Sequence, residues 1–340
     1  MPIAKSVRRL EAYTPGEQPK SRGVVKLNTN ENPYPPSPEC AKVLASFALD
    51  RLRRYPDPVF TELREAIAKD IGAGSDRIFI GNGSDEVLAV AAKTFVEDDE
   101  AVASLDPSYS LYKTLAAIRN VPWTGFEKLE VPPPKKAHVS LFLLTNPNAP
   151  TGVMKPVEEI AAFAKKFKGV VLVDEAYADF ASDNCMRLAA AERNRNIIVM
   201  RTFSKSYSLA GLRVGYCVGP KKLIEAMYKV KDSYNVDAVA QAVALAAVKD
   251  RGWMERNVAR VKATRRRFTA ELTRRGWDVM PSETNFVFAK PPAGENAAEI
   301  FARLKAENVF VRYFPGTKTG DRLRITVGTD AEMKKLLKKI

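Results

Sequence analysis

Residues 201–215 read Arg-Thr-Phe-Ser-Lys-Ser-Tyr-Ser-Leu-Ala-Gly-Leu-Arg-Val-Gly and follow a short apolar run at 197–200. The stretch sets a lysine, Lys205, among small hydroxyl residues, with an arginine, Arg213, eight positions on. Three chemical functions meet there: an amine able to bond an aldehyde, hydroxyls suited to a phosphate, and a guanidinium behind them. A free lysine amine has a pKa of about 10.4, so a nucleophilic Lys205 needs burial or a neighbouring positive charge. The plainer reading is one surface lysine in a chain with 54 Lys+Arg.

Upstream of this stretch, short runs rich in Val, Ile, Leu or Phe recur at 78–80, 101–105, 139–145, 169–173 and 197–200. The intervals are long enough for crossover helices. This rhythm predicts βαβ units and an α/β fold with a mainly parallel sheet covered on both faces. Residues 213–218 follow Lys205 too closely for a crossover and predict an antiparallel strand. From about Asp250 the texture changes to a long basic helix (253–275), strand signals at 285–289 and 323–327, and a helix at 297–307. That pattern predicts a smaller α+β unit. The proline-rich first 35 residues are expected to wrap onto it or onto a partner subunit. The expected division is a large domain, 36–245, and a small one made of 1–35 plus 246–340.

Composition narrows the chemistry. The chain has 340 residues and 46% hydrophobic content, enough for one large or two moderate cores. It has no uninterrupted apolar run of roughly 18 residues, and its start lacks the apolar segment of a signal peptide. The three cysteines, Cys40, Cys185 and Cys217, form no CxxC pair. A cytoplasmic, soluble protein without membrane partners is expected. The single histidine, His138, argues against a histidine-based triad or a histidine-rich metal site, so no metal is expected. Acid–base work must then run through Lys, Tyr or carboxylates. The net charge of +14 is spread along the chain, with one cluster at 262–267. That cluster reads as a solvated helix face rather than a nucleic-acid footprint, and the general field favours anionic cofactors and substrates.

Ligand groups in open α/β sheets sit beyond the C-terminal ends of parallel strands. After 78–80 comes Gly81-Asn-Gly-Ser-Asp-Glu86, opening a helix at Val87; small residues there would cradle a phosphate, or simply cap the helix. After 101–105 comes Asp106-Pro-Ser-Tyr109, where Tyr109 would stack on a flat ring or pack in the core. After 139–145 comes Asn146-Pro-Asn-Ala-Pro-Thr-Gly152, able to present an amide. After 169–173 comes Asp174-Glu-Ala-Tyr177: a carboxylate for a ring nitrogen and a phenol for a ring oxygen, or an ordinary strand cap.

In that order, Gly-Ser-Asp, Tyr109, Asn-Pro-Asn-x-Pro-Thr-Gly, Asp-Glu-Ala-Tyr and Ser-Lys-x-x-x-Leu-Ala-Gly-Leu-Arg resemble the class II, fold-type I aminotransferases that use pyridoxal 5'-phosphate (PLP). The flanking motifs Leu27-Asn-Thr-Asn-Glu-Asn-Pro33, Arg54-Tyr-Pro-Asp57, Ser282-Glu-Thr-Asn-Phe286, Val311-Arg-Tyr-Phe314 and Leu323-Arg-Ile-Thr-Val-Gly328 narrow it. Together they are similar to the histidinol-phosphate aminotransferase family, over residues from about 13 to 330.

The resemblance implies a seven-stranded sheet in the large domain, a PLP cofactor, a homodimer, and transamination between L-histidinol phosphate and 2-oxoglutarate in histidine biosynthesis. It implies catalytic roles for Lys205 (covalent link and proton shuttle), Asp174 (ring nitrogen) and Tyr177 (ring oxygen). Ser84, Asp85, Thr202, Ser204 and Arg213 would hold the phosphate, and Tyr109 the ring face. Tyr55 would reach the neighbouring subunit's cofactor phosphate. Tyr13, Asn30, Arg312 and Arg324 would hold the substrate. One departure stands out: relatives carry asparagine immediately before Pro-Thr-Gly, where this chain has Ala149. Either Asn148 substitutes from one residue earlier or Tyr177 acts alone. Competing activities on the same framework are threonine-phosphate decarboxylation and aromatic amino acid transamination. A DNA-binding regulator on this fold is not expected, since about 35 residues precede the motifs.

Overall fold

The computed structural model describes residues 2–3, 5–8, 10, 16–19, 23–132 and 138–340. The elements run α1 (Lys5–Arg8), β1 (Val25–Lys26), α2 (Pro38–Ser46), α3 (Thr61–Ile71), β2 (Ile78–Gly81), α4 (Gly83–Phe95), β3 (Ala101–Leu105), α5 (Leu111–Arg119), β4 (Trp123–Phe126), β5 (Val139–Thr145), α6 (Val157–Lys166), β6 (Val170–Asp174), α7 (Met186–Ala190), β7 (Ile197–Thr202), β8 (Gly215–Val218), α8 (Lys221–Val230) and α9 (Ala238–Lys249). The C-terminal part adds α10 (Arg251–Arg274), β9 (Asp278–Val279), β10 (Phe286–Lys290), α11 (Ala297–Ala306), β11 (Val309–Phe310), β12 (Arg312–Tyr313), β13 (Leu323–Thr326) and α12 (Asp330–Leu337).

The main sheet has seven strands in the order β2-β8-β7-β6-β5-β3-β4. Its central strands β3, β5, β6 and β7 are parallel, while β8 runs antiparallel to both β7 and β2. All seven residues of β5 are buried, as expected of a parallel strand covered on both faces. Alternation splits each strand between two cores. Leu141, Leu143, Leu172, Ile198 and Met200 join the core under α4, whereas Phe142, Leu144, Val171, Val173 and Val199 join the core that includes α6 and α9.

A second, antiparallel sheet, β12-β13-β10-β9, packs with α11 and α12 around Phe268, Trp277 and Leu304. The arm contributes β1, which pairs in parallel with β11. The expected boundary at residue 245 falls inside α9, and we propose that the division lies instead at Asp250, between α9 and α10.

The basic cluster at 262–267 is only partly a solvated face. Arg266 and Arg267 are exposed, but Arg265 is buried and donates to the carbonyls of Phe180 and Thr284. Its turn of α10 faces the loop after β6, so the positive charge there serves packing between the two sheets.

Candidate active site

Because β3, β5, β6 and β7 are parallel, their C-terminal ends share one edge of the sheet. The β2 end and the start of β8 reach the same edge, since Gly81 and Thr202 both register with Gly215. The arm (within residues 1–35) and the small sheet lie over this edge and border a partly open cavity of about 660 Å³.

Lys205 points into it. Its Nζ donates to the carbonyl of Thr29 in the arm at 3.1 Å. Burial lowers its pKa to about 8, and the charge of Arg324 adds to the effect. Both devices anticipated for a nucleophilic lysine are therefore present.

Next to it lies a cradle of donors. Thr202 donates to Ser204 Oγ at 3.0 Å, and Arg213 reaches Ser204 Oγ at 3.5 Å. The cradle depends on glycine. Gly83 has φ +79°, and a Cβ there would lie 2.5 Å from the Arg213 guanidinium. A Cβ on Gly215 would lie 2.6 Å from the Ser84 amide nitrogen. Helix α4 starts at Gly83 rather than at Val87, so Gly83, Ser84 and Asp85 form its first turn, whose N–H groups have no partners within the helix. Asp85 needs correcting: its carboxylate would repel a phosphate. It pairs instead with Arg213 at 3.3 Å and accepts from the Tyr109 hydroxyl at 3.3 Å, so its side chain orients those two groups.

Asp174 is buried at the end of β6. Burial raises its pKa to about 6, against the downward pull of bonds from Tyr112 and from the Ala176 N–H. Tyr177 lies on the same wall, edge-on to Phe286, and its hydroxyl accepts from Asn30 Nδ2 at 2.9 Å. Asn30 has φ +56° and is locked in place: its N–H donates to Thr326 Oγ1, and its carbonyl accepts from Asn285. Asn148 does not line the cavity. Its amide donates to Pro107 O and Thr151 Oγ1 and accepts from Ser108, so it braces the turn that carries Tyr109 while Ala149 faces the cavity. Of the two ways to compensate for Ala149, the arm's Asn30 bonding to Tyr177 supports the second, with Tyr177 as the ring-side donor.

Arg312 and Arg324 stand directly opposite each other on β12 and β13, and both line the cavity. Leu323 and Ile325 turn into the small core, so alternation delivers Arg324 to the other face. Arg324 lies over the rings of Phe286 and Phe314, and Arg312 over Phe314. Like charges facing across a ladder are unfavourable, which an anion between them would reverse. Tyr55 lies elsewhere: it is 80% exposed and stacks on Tyr234 at 4.3 Å. Tyr13 lies outside the described residues.

Several functional neighbours escaped sequence reasoning. Tyr112 and Thr145 contact Asp174 or its partner, and Arg201 bonds to Glu175 and Asp179 behind the site. Ser206 donates to Asp179, so this buried network ties the Asp174 segment to the Lys205 segment. Among the described residues no group of three or more His, Cys, Asp or Glu is placed to hold a metal ion.

The donor set fits a phosphorylated aromatic aldehyde. Glycines leave room for the phosphate among hydroxyls and a guanidinium, a buried carboxylate faces the cavity, and a half-buried lysine has a depressed pKa.

A family model for aminotransferase class I and II matches residues 22–340. The chain is 44% identical over 340 residues to histidinol-phosphate aminotransferase 1 of Bradyrhizobium diazoefficiens, covering 97% of this chain and 96% of that protein. It is 40% identical over 338 residues to histidinol-phosphate aminotransferase 1 of Nostoc sp., covering 98% of this chain and 95% of that one. Among solved structures, histidinol-phosphate aminotransferase from Sinorhizobium meliloti in complex with pyridoxal 5'-phosphate superposes with a TM-score of 0.87 at 25% identity. That match covers 99% of this chain and 96% of the other.

Proposed function

The chain belongs to the class I and II aminotransferases, and from that premise we propose that it transfers the amino group of L-histidinol phosphate to 2-oxoglutarate with PLP as cofactor. The observation that carries the substrate reading is the facing pair Arg312 and Arg324, which line the same cavity as Lys205. Histidinol phosphate has no α-carboxylate but a dianionic phosphate, whereas glutamate has two carboxylates. A pair of guanidiniums can bind either by bidentate bonds.

When bound, the cofactor supplies a carbonyl to receive the amino group and an electron-withdrawing ring. Thr202, Ser204, Arg213 and the first-turn N–H groups of α4 would hold its phosphate, and Asp174 its ring nitrogen. Tyr177 would donate to its ring oxygen, and Tyr109 would cover a face. Lys205 would be the covalent anchor, and its amine, whose pKa burial lowers in the cofactor-free site, would move the proton at the substrate carbon. The arm and small sheet partly screen the lysine from water.

The protein is proposed to act as a homodimer in which the exposed Tyr55 reaches the partner's phosphate cradle, and to work in the cytoplasm. The three cysteines are buried and unpaired, in keeping with a reducing compartment. No described helix is long and apolar enough to cross a membrane. The test is to mix PLP-loaded enzyme with histidinol phosphate and follow loss of the cofactor's aldehyde absorbance, then its return on adding 2-oxoglutarate with formation of glutamate. Release of CO₂ from phosphothreonine, or equal turnover of an unphosphorylated aromatic amine, would contradict it.

A further inference from the structure

Tyr112, the second residue of α5, is fully buried in an apolar setting, edge-on to Tyr109. Its hydroxyl lies 2.8 Å from Asp174 Oδ2 and 2.5 Å from Thr145 Oγ1. A carboxylate only accepts, so Tyr112 donates its proton to Asp174, and its oxygen accepts from the Thr145 hydroxyl. The order Thr145 to Tyr112 to Asp174 is thereby fixed. Thr145 registers directly with Asp174 across β5 and β6, which is why the chain can close. The other carboxylate oxygen accepts from the Ala176 N–H at 3.1 Å.

A phenylalanine would fill the same volume among the apolar neighbours, so the hydroxyl is what packing alone does not require. We propose that Tyr112 is a positioning residue for Asp174: its hydroxyl fixes the carboxylate's orientation and keeps the proton between Asp174 and the cofactor ring nitrogen on the ring. This rests on the PLP reading of the site. The electrostatics agree. Burial makes the Asp174 carboxylate more basic, and Asp85 from α4 and Glu175, the next residue in the chain, push the same way; the bonds from Tyr112 and Ala176 oppose them. Burial and the charge of Asp174 hold the Tyr112 phenol well above its usual range, so it remains a protonated donor. Without that donor Asp174 becomes the stronger base and draws the proton away from the ring.

The experiment loads the wild type and Tyr112→Phe with PLP labelled with nitrogen-15 in the ring, and follows the NMR shift between about pH 6 and 9. The wild type should hold the protonated position throughout. Tyr112→Phe should move toward the unprotonated position, with a melting temperature near that of the wild type. Its kcat should fall by about ten- to a hundredfold, the range for losing a hydrogen bond to a charged group, with KM for the amine within about threefold. An unchanged nitrogen shift in Tyr112→Phe overturns the proposal. If that variant does not fold, Thr145→Val, which removes the donor to Tyr112 together with a contact to Ser108 Oγ and leaves the Tyr112–Asp174 bond itself in place, should move the signal less, in the same direction; no movement overturns it equally. Absence of any bound-cofactor signal in the wild type would overturn the PLP reading itself, a result distinct from an unmoved signal in the variant.

Discussion

The wall of the cavity formed by the seven-stranded sheet takes Asp174, Lys205 and Arg213 from neighbouring strand ends, braced by the buried Arg201 network. The wall formed by the arm and small sheet is joined over long distances. Asn30 bonds to Thr326, 296 positions away, and Arg324 donates to the carbonyl of Asn28. The first wall is set by largely buried neighbouring strands, which leave its groups few alternatives. The second is held by hydrogen bonds between segments far apart in the chain. The chemistry is therefore expected on the sheet side, and discrimination between amines on the arginine side.

The largest expected effect breaks the sheet side. Lys205→Ala should lose at least about 10²–10⁴ in turnover, the range for acid–base catalysis alone, and more through loss of the covalent anchor. Single-turnover assays check this; a variant retaining more than a few per cent of wild-type rate removes Lys205 from its role. Asp174→Asn should follow, with a kcat loss on the order of a hundredfold and little change in KM.

Those same groups should cost stability in the cofactor-free protein. The Lys205 pKa is lowered to about 8. Below pH about 8 the folded state therefore buries a charge that the unfolded chain solvates, and the penalty fades as pH rises toward about 10.4. Lys205→Ala apoenzyme should melt higher than wild type at pH 7, with the gap closing at high pH. The Asp174 pKa is raised to about 6, so its contribution is favourable relative to higher pH only when protonated and is lost as pH rises through about 6. Asp174→Asn should be the more stable apoenzyme at pH 8, with the difference gone by pH about 4. Thermal melts over pH decide; equal stabilities at every pH would mean neither group is held in an unfavourable state.

The contrast between the walls also explains what was legible in the sequence. The central strands were readable because each is a short apolar run bounded by polar residues, as with Val139–Thr145, and the antiparallel turn of β8 followed from too short a connection after Lys205. Arg324 was readable from alternation with Leu323 and Ile325. Tyr112 was not, because a tyrosine on a buried helix face is indistinguishable from core until the strand end it meets is known. Asn148 misled because adjacency in the loop did not say which side chain faced the cavity; the turn gave that place to Ala149. Asp85 misled because a motif position does not separate a residue's backbone N–H from its carboxylate. The buried Arg265 shows the same limit for a run of charges on a helix.

The smaller effects belong to the arginine wall. Arg324→Lys keeps the charge but loses the planar fork, so KM for both substrates should rise by roughly ten- to a hundredfold with kcat little changed. The most direct test of the division between the walls compares histidinol phosphate with unphosphorylated histidinol in half-reaction titrations on Arg312→Ala and Asp174→Asn. Arg312→Ala should weaken the phosphorylated amine selectively, by about tenfold or more relative to histidinol, while Asp174→Asn should slow both amines by the same factor. Equal losses for both amines in Arg312→Ala would contradict that division and leave a general aromatic aminotransferase.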